Sequence, residues 1–107
     1  MVIKQYDVVL INLEPTMGHE IKKSRPCLVI SPDELNRNVH TLVIAPMTTR
    51  SHPYPTRIPV HFRGKKGWIM LDQIRCIDHL RVLKHLGAIE RNAILEVKSA
   101  LKETFVD

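Results

Sequence analysis

Short apolar runs separated by turn-forming residues restrict this chain's fold more than any other feature. Three of them are Asp7–Asn12 (DVVLIN), Cys27–Ser31 (CLVIS) and Thr41–Met47 (TLVIAPM). Each is too short for a stable helix and rich in Val, Ile and Leu, so each reads as a strand, the third as a buried one. Arg57–Phe62 alternates instead, with Ile58, Val60 and Phe62 on one face, and Pro59 marks it as an edge strand. The Arg63-Gly64-Lys65-Lys66-Gly67 stretch is a hairpin turn, and Trp68–Ile74 returns as a fifth strand. Asp78–Lys84 reads as a single helical turn, and Thr49–Thr56, with prolines at 53 and 55, as irregular loop.

Only the last segment changes period. Ile89, Ala93, Ile94, Val97, Ala100, Leu101 and Phe105 recur every three or four residues, which predicts an amphipathic helix over about residues 90–104. Glu90 near its start and Lys102 near its end suit the helix dipole. Leu95 falls off the apolar face. Strands of period two closed by one helix predict a mainly β (α+β) fold, a small barrel or strongly bent sheet of five or more strands with a C-terminal helix. A length of 107 residues suits a single domain spanning 1–107.

Sixteen Lys and Arg oppose eleven Asp and Glu, a net charge of +5 that favours an anionic partner such as nucleic acid or an acidic polypeptide. No run reaches the ~20 apolar residues of a membrane span, and the N-terminus lacks the apolar core of a signal peptide. The two cysteines, Cys27 and Cys76, are too few for a disulfide scaffold, and a cytoplasmic location with reduced thiols is expected. Neither the cysteines nor the six histidines have metal-ligand spacing, so no metal and no cofactor is expected.

Several polar groups can meet at one rim of such a sheet. They are His19, Glu20 and Arg25 between the first two strands, Thr48 and Thr49 after the third, and Asp72, Gln73 and Arg75 at the end of the fifth. The Arg50–Thr56 loop adds Tyr54. Together they offer cations for a phosphate, hydroxyl donors for its oxygens, a carboxylate or imidazole for a proton and an aromatic face for a base. That set suits phosphodiester cleavage in RNA, where the 2′-hydroxyl is the nucleophile. Each residue alone has a plainer reading. Arg25 pairs with Glu20, Thr48 ends its strand by bonding backbone, Asp72 binds loop amides, Tyr54 packs on prolines and Lys65-Lys66 is a solvated hairpin tip. Cys27 is a small core residue, and Trp68 belongs to core or interface.

The motifs Asp7-Val8, Pro15-Thr16-x-Gly18-His19-Glu20, Ser24-Arg25-Pro26-x-Leu28-Val29-Ile30-Ser31, Asn36-Arg37-Asn38, Pro46-x-Thr48, Asp72-Gln73-Ile74-Arg75 and Leu86-Gly87 run from Asp7 to Gly87, within a pattern that covers about residues 5–104. In this pattern the chain resembles the MazF/PemK/Kid family of toxins from type II toxin–antitoxin systems. The resemblance implies an SH3-like β-barrel of the CcdB/PemK kind, acting as a homodimer. It implies a metal-independent endoribonuclease that cuts single-stranded mRNA at a short sequence by 2′-hydroxyl attack, leaving a 2′,3′-cyclic phosphate and a 5′-hydroxyl. A cognate antitoxin with an acidic, disordered tail would block the same groove.

By motif, the resemblance assigns Arg25 and Thr48 to catalysis. It gives His19, Glu20, Asp72 and Gln73 to positioning substrate or handling protons, and with Asn36, Thr49, Tyr54 and Arg75 these make up the expected substrate-binding set. The Kid branch places an arginine two residues before the aspartate. Met70 stands there, so the Arg25/Thr48 scheme fits better than an Arg/Asp acid–base pair. Two rivals share the fold: a CcdB-like toxin that binds DNA gyrase without catalysis, and an SH3-like interaction module with a dead site.

Overall fold

The computed structural model describes residues 2–13 and 23–106. In chain order the elements are β1 (Asp7–Asn12), β2 (Ser24–Val29), α1 (Asp33–Asn38), β3 (Thr41–Thr48), β4 (Arg57–Phe62), β5 (Lys65–Met70), β6 (Arg75–Asp78), β7 (Val82–Ala88) and α2 (Arg91–Phe105). The strands form one curled antiparallel sheet in the order β4-β5-β3-β2-β1-β7, with β6 also on β3. β3 is the strand around which the sheet bends. Its first half, Thr41–Ile44, pairs with β6, its end, Met47 and Thr48, pairs with β5, and its other edge carries β2.

Side-chain alternation puts apolar residues on both faces of β1, β2 and β3, which is why these strands read as continuous apolar runs. Val8, Leu28, Ala45 and Met47 enter one core cluster with Ile58, Val60, Ile69 and Leu71. Val9, Ile11, Cys27, Val29, Leu42 and Ile44 enter another with Leu13 and Ile77. Fully burying each such aliphatic side chain contributes about 1.5–3 kcal/mol. α2 seals the first cluster through Ala93, Val97 and Ala100, spaced for one helical face. It starts and ends within a residue of the expected bounds. Leu95 is exposed as its position predicts, but Phe105, placed on the apolar face by period, is also exposed where the helix outruns the core.

Three local differences from the sequence reading have simple causes. The hairpin turn is only Arg63-Gly64, both at positive φ (52° and 75°) as a two-residue primed turn requires, so Lys65 and Lys66 belong to β5. The run Trp68–Ile74 is not one strand: it breaks in a 3-10 turn at Leu71–Gln73, after which β6 begins at Arg75. The helical turn expected over Asp78–Lys84 is a 3-10 turn at His79–Arg81, followed at once by the edge strand β7, whose mostly exposed residues give no core-facing period. Pro59 does sit on an edge, since β4 pairs with β5 alone.

Candidate active site

Two neighbouring strands build the site. In β2, Cys27 and Val29 lie in the second core cluster, so alternation puts Arg25 on the same face. In β3, Leu42 and Ile44 lie in that cluster, so Pro46 and then Thr48 continue its face. The ladder ends with Cys27 opposite Pro46, and Arg25 and Thr48 each lie two residues past that end on their own strand. Both residues line one groove of about 310 Å³. Its floor is apolar, from Pro26, Met47, Val60, Phe62 and Leu86, and its rim carries Arg63, Lys65 and Lys66. The solvated hairpin tip is thus also a cationic wall of the groove.

Arg25 is half-buried, and among the described residues its guanidinium has no carboxylate partner; the ion pairs there are Arg57–Asp72 and His85–Asp7. Arg75 shares the face of Ile77 on β6 and donates from Nη1 to the Leu13 carbonyl at 3.5 Å. Both guanidiniums act on the Cys27 thiol. Burial pushes it up to about 12 against the opposing fields of Arg75 and Arg25, so Cys27 is an inert core residue flanked by cations.

The Thr48 hydroxyl oxygen accepts the Arg50 backbone N–H at 3.1 Å, while its own proton has only a 3.4 Å contact to the Arg50 carbonyl. The plainer reading of Thr48 as a strand terminator is therefore true, and it leaves the hydroxyl a proton for a ligand in the groove. Gly67 on β5 permits this geometry. A Cβ there would stand 2.8 Å from the Thr48 carbonyl oxygen, so only glycine lets β5 approach β3 this closely. Thr49 is exposed and lines the same groove.

The Asp72 carboxylate bonds to side chains where its plainer reading expected loop amides. Its carboxylate accepts from Arg57 Nε at 3.2 Å and Nη2 at 3.0 Å, and from the Thr56 hydroxyl at 3.1 Å. The bidentate Arg57 bond holds the Asp72 carboxyl below the usual carboxylate range, with burial opposing. Arg57 also donates from Nη1 to Ser51 Oγ at 2.9 Å, so one guanidinium ties both ends of the 51–57 loop to the 3-10 turn. Tyr54, on that loop, is 61% exposed, and Gln73 is half-buried at the end of the turn.

Asn36 departs from the expected substrate-binding set. It is 5% exposed, donates to the Ser31 carbonyl at 2.9 Å and accepts from the Ser31 hydroxyl at 2.5 Å. That hydroxyl in turn accepts the Val43 N–H at 3.1 Å. The amide is spent on joining α1 to the β2 and β3 ends, so its motif position reflects folding rather than ligand contact. His19 and Glu20 lie outside the described residues. Arg57, Trp68 and the Arg63/Lys65/Lys66 rim are the site residues that sequence reasoning missed. The partner of Asp72 comes from a different strand, and no local spacing announces it.

The described geometry joins an unpaired cation, a hydroxyl and a basic, apolar-floored groove, which suits an anionic chain with flat apolar bases. A family described as the PemK-like, MazF-like toxin of type II toxin–antitoxin systems matches residues 4–105. The chain is 30% identical over 105 residues to the endoribonuclease MazF of Staphylococcus epidermidis, covering 92% of this chain and 88% of that protein. The crystal structure of MazF from Deinococcus radiodurans is 27% identical with a TM-score of 0.85, over 97% of this chain and 96% of that one. A MazE–MazF crystal structure from the same organism superposes with a TM-score of 0.80 at 27% identity, over 97% and 96% of the two chains.

Proposed function

The chain belongs to the PemK-like, MazF-like family of type II toxin–antitoxin toxins, a family of endoribonucleases, and from that premise we propose that it cuts single-stranded mRNA without a metal. The observation that carries the reading is that Arg25 and Thr48 line one groove, with no carboxylate partner for Arg25 among the described residues. In the proposed step the ribose 2′-oxygen attacks the adjacent phosphorus and the bond to O5′ breaks. The 2′-hydroxyl loses its proton, the leaving O5′ gains one, and a 2′,3′-cyclic phosphate and a 5′-hydroxyl result. Negative charge builds on the nonbridging oxygens. Arg25 neutralises it, and the Thr48 hydroxyl donates to one of those oxygens.

A guanidinium is a poor proton carrier, because it stays charged at any ordinary pH. Asp72 is a weak base as well, since Arg57 holds it ionised and below its ordinary range. That leaves the His19 imidazole as the group best suited to move protons, with a reference pKa near ~6.5. Arg75, Gln73, Thr49 and Tyr54 bind and orient the strand, and Glu20 helps to position it. The active form is a homodimer. The same cationic rim takes an antitoxin's acidic tail, consistent with the +5 charge and with the MazE–MazF assembly of the Deinococcus radiodurans relative. The family assignment favours this reading over gyrase binding or a dead interaction module.

The test is incubation with a long single-stranded RNA in EDTA, followed by cut-site mapping and end-group analysis. Discrete cuts with cyclic phosphate and 5′-hydroxyl ends support the mechanism. Intact RNA, or cuts only after metal is restored, contradicts it.

A further inference from the structure

We propose that the cleft between the Pro53–Tyr54–Pro55 segment and Trp68 is a nucleobase subsite, holding a base that flanks the scissile phosphate. The inference rests on the ribonuclease reading and names where its substrate strand leaves the groove. Arg57 and Pro59 complete this open cleft of about 590 Å³.

Continuity argues for the same ligand in both places. Trp68 lines both the Arg25–Thr48 groove and the Tyr54 cleft. It is also the β5 residue paired directly with Thr48 on β3, and with Pro59 on β4. Directly paired residues in an antiparallel ladder have Cα atoms about 4.5–5.5 Å apart. A strand whose phosphate sits at Thr48 therefore has its neighbouring nucleotide at Trp68, with the cleft just beyond.

The chemistry of the cleft suits a base. Tyr54 shows an exposed ring, and Trp68 offers a half-buried indole. Aromatic faces and the plane of an arginine stack any nucleobase without needing a particular hydrogen-bond pattern. Tyr54 stands on backbone that is already fixed. Its carbonyl accepts the Arg57 N–H at 2.9 Å, Arg57 ties Ser51 and Asp72, and two prolines flank the ring. An exposed aromatic on a loop held this firmly loses little entropy when a ligand stacks on it.

The experiment uses a short single-stranded RNA spanning a mapped cut, remade with an abasic ribose at each flanking position in turn. One position is expected to raise KM on the order of tenfold in the wild type, the size of one lost stack. Tyr54→Ala should raise KM for intact RNA by a similar factor and then show no further rise at that position, while Tyr54→Phe, which keeps the ring, should recover most of the lost KM. Trp68 is the chain's one tryptophan, so its emission gives a second readout. The same RNA with a 2′-O-methyl group at the attacking ribose should quench it, and the matching abasic RNA should quench it less. Wild-type KM in Tyr54→Ala, an abasic penalty that persists in that variant, or equal quenching by both RNAs overturns the subsite while leaving the nuclease intact. A wild type that cuts no RNA at all overturns the parent reading and this one with it.

Discussion

The Arg57 guanidinium grips both oxygens of the Asp72 carboxylate, Nε to Oδ1 at 3.2 Å and Nη2 to Oδ2 at 3.0 Å. This pair links β4 to the turn after β5 and pins the loop that carries Tyr54. It predicts a pH signature. The folded-state pKa of Asp72 is lowered, so its contribution to stability is fully present above the unfolded value of about 3.9 and disappears as pH falls through the lower folded value. Asp72→Asn should therefore melt below the wild type at pH 7, and the gap should close in acid below about pH 4. A gap that stays constant from pH 7 to pH 3 would show that the charge of Asp72 is not what holds the loop.

Gly67→Ala should impair cleavage from a position that touches no substrate. The new Cβ meets backbone rather than a yielding side chain, 2.8 Å from the Thr48 carbonyl. The Thr48–Thr49 segment must shift, and a displacement of this kind costs on the order of 10²-fold in rate. Stability should fall by about 1–3 kcal/mol as strain is absorbed. Circular dichroism should confirm that the sheet persists, and wild-type turnover in the folded variant would dissociate Gly67 from Thr48.

Thr48→Val keeps the shape and removes the hydroxyl. Losing a donor to a developing oxyanion typically costs about 10²–10³-fold in kcat, and Thr48→Ser should recover most of it. Single-turnover cleavage gives the comparison. Equal rates for Val and Ser would reduce Thr48 to a strand terminator bonded to Arg50.

Asn36→Ala should lower stability and leave KM alone. It strips partners from the buried Ser31 hydroxyl and carbonyl, at about 1–3 kcal/mol. Denaturant melts and RNA titration separate the two effects. A raised KM with unchanged stability would return Asn36 to the substrate-binding set.

The residues that were legible in sequence are those whose signal is local. Val8–Val9, Leu28–Val29 and Leu42–Ala45 bury both faces and read as strands. The 93/97/100 spacing reads as a helix face. Arg25 and Thr48 stand in family motifs, and the structure lines one groove with both. What stayed hidden depends on contacts across the chain. β7 is an exposed edge with no inward period, and the break at Leu71–Gln73 interrupts a run that composition alone continues. Asp72 found its partner fifteen residues upstream in Arg57, across a strand pair. Asn36 carries a family motif for a packing reason that only burial reveals.

In the proposed mechanism the Arg25 guanidinium, which has no carboxylate partner among the described residues, stabilises charge on the phosphate under attack. The most direct measurement of that role is primer extension on a long single-stranded RNA, in EDTA, with wild type and Arg25→Ala at equal folded concentration. Discrete cuts by the wild type and a rate lower by about 10²–10³-fold for the variant, at unchanged positions, are expected. Cuts of wild-type rate by Arg25→Ala would contradict it.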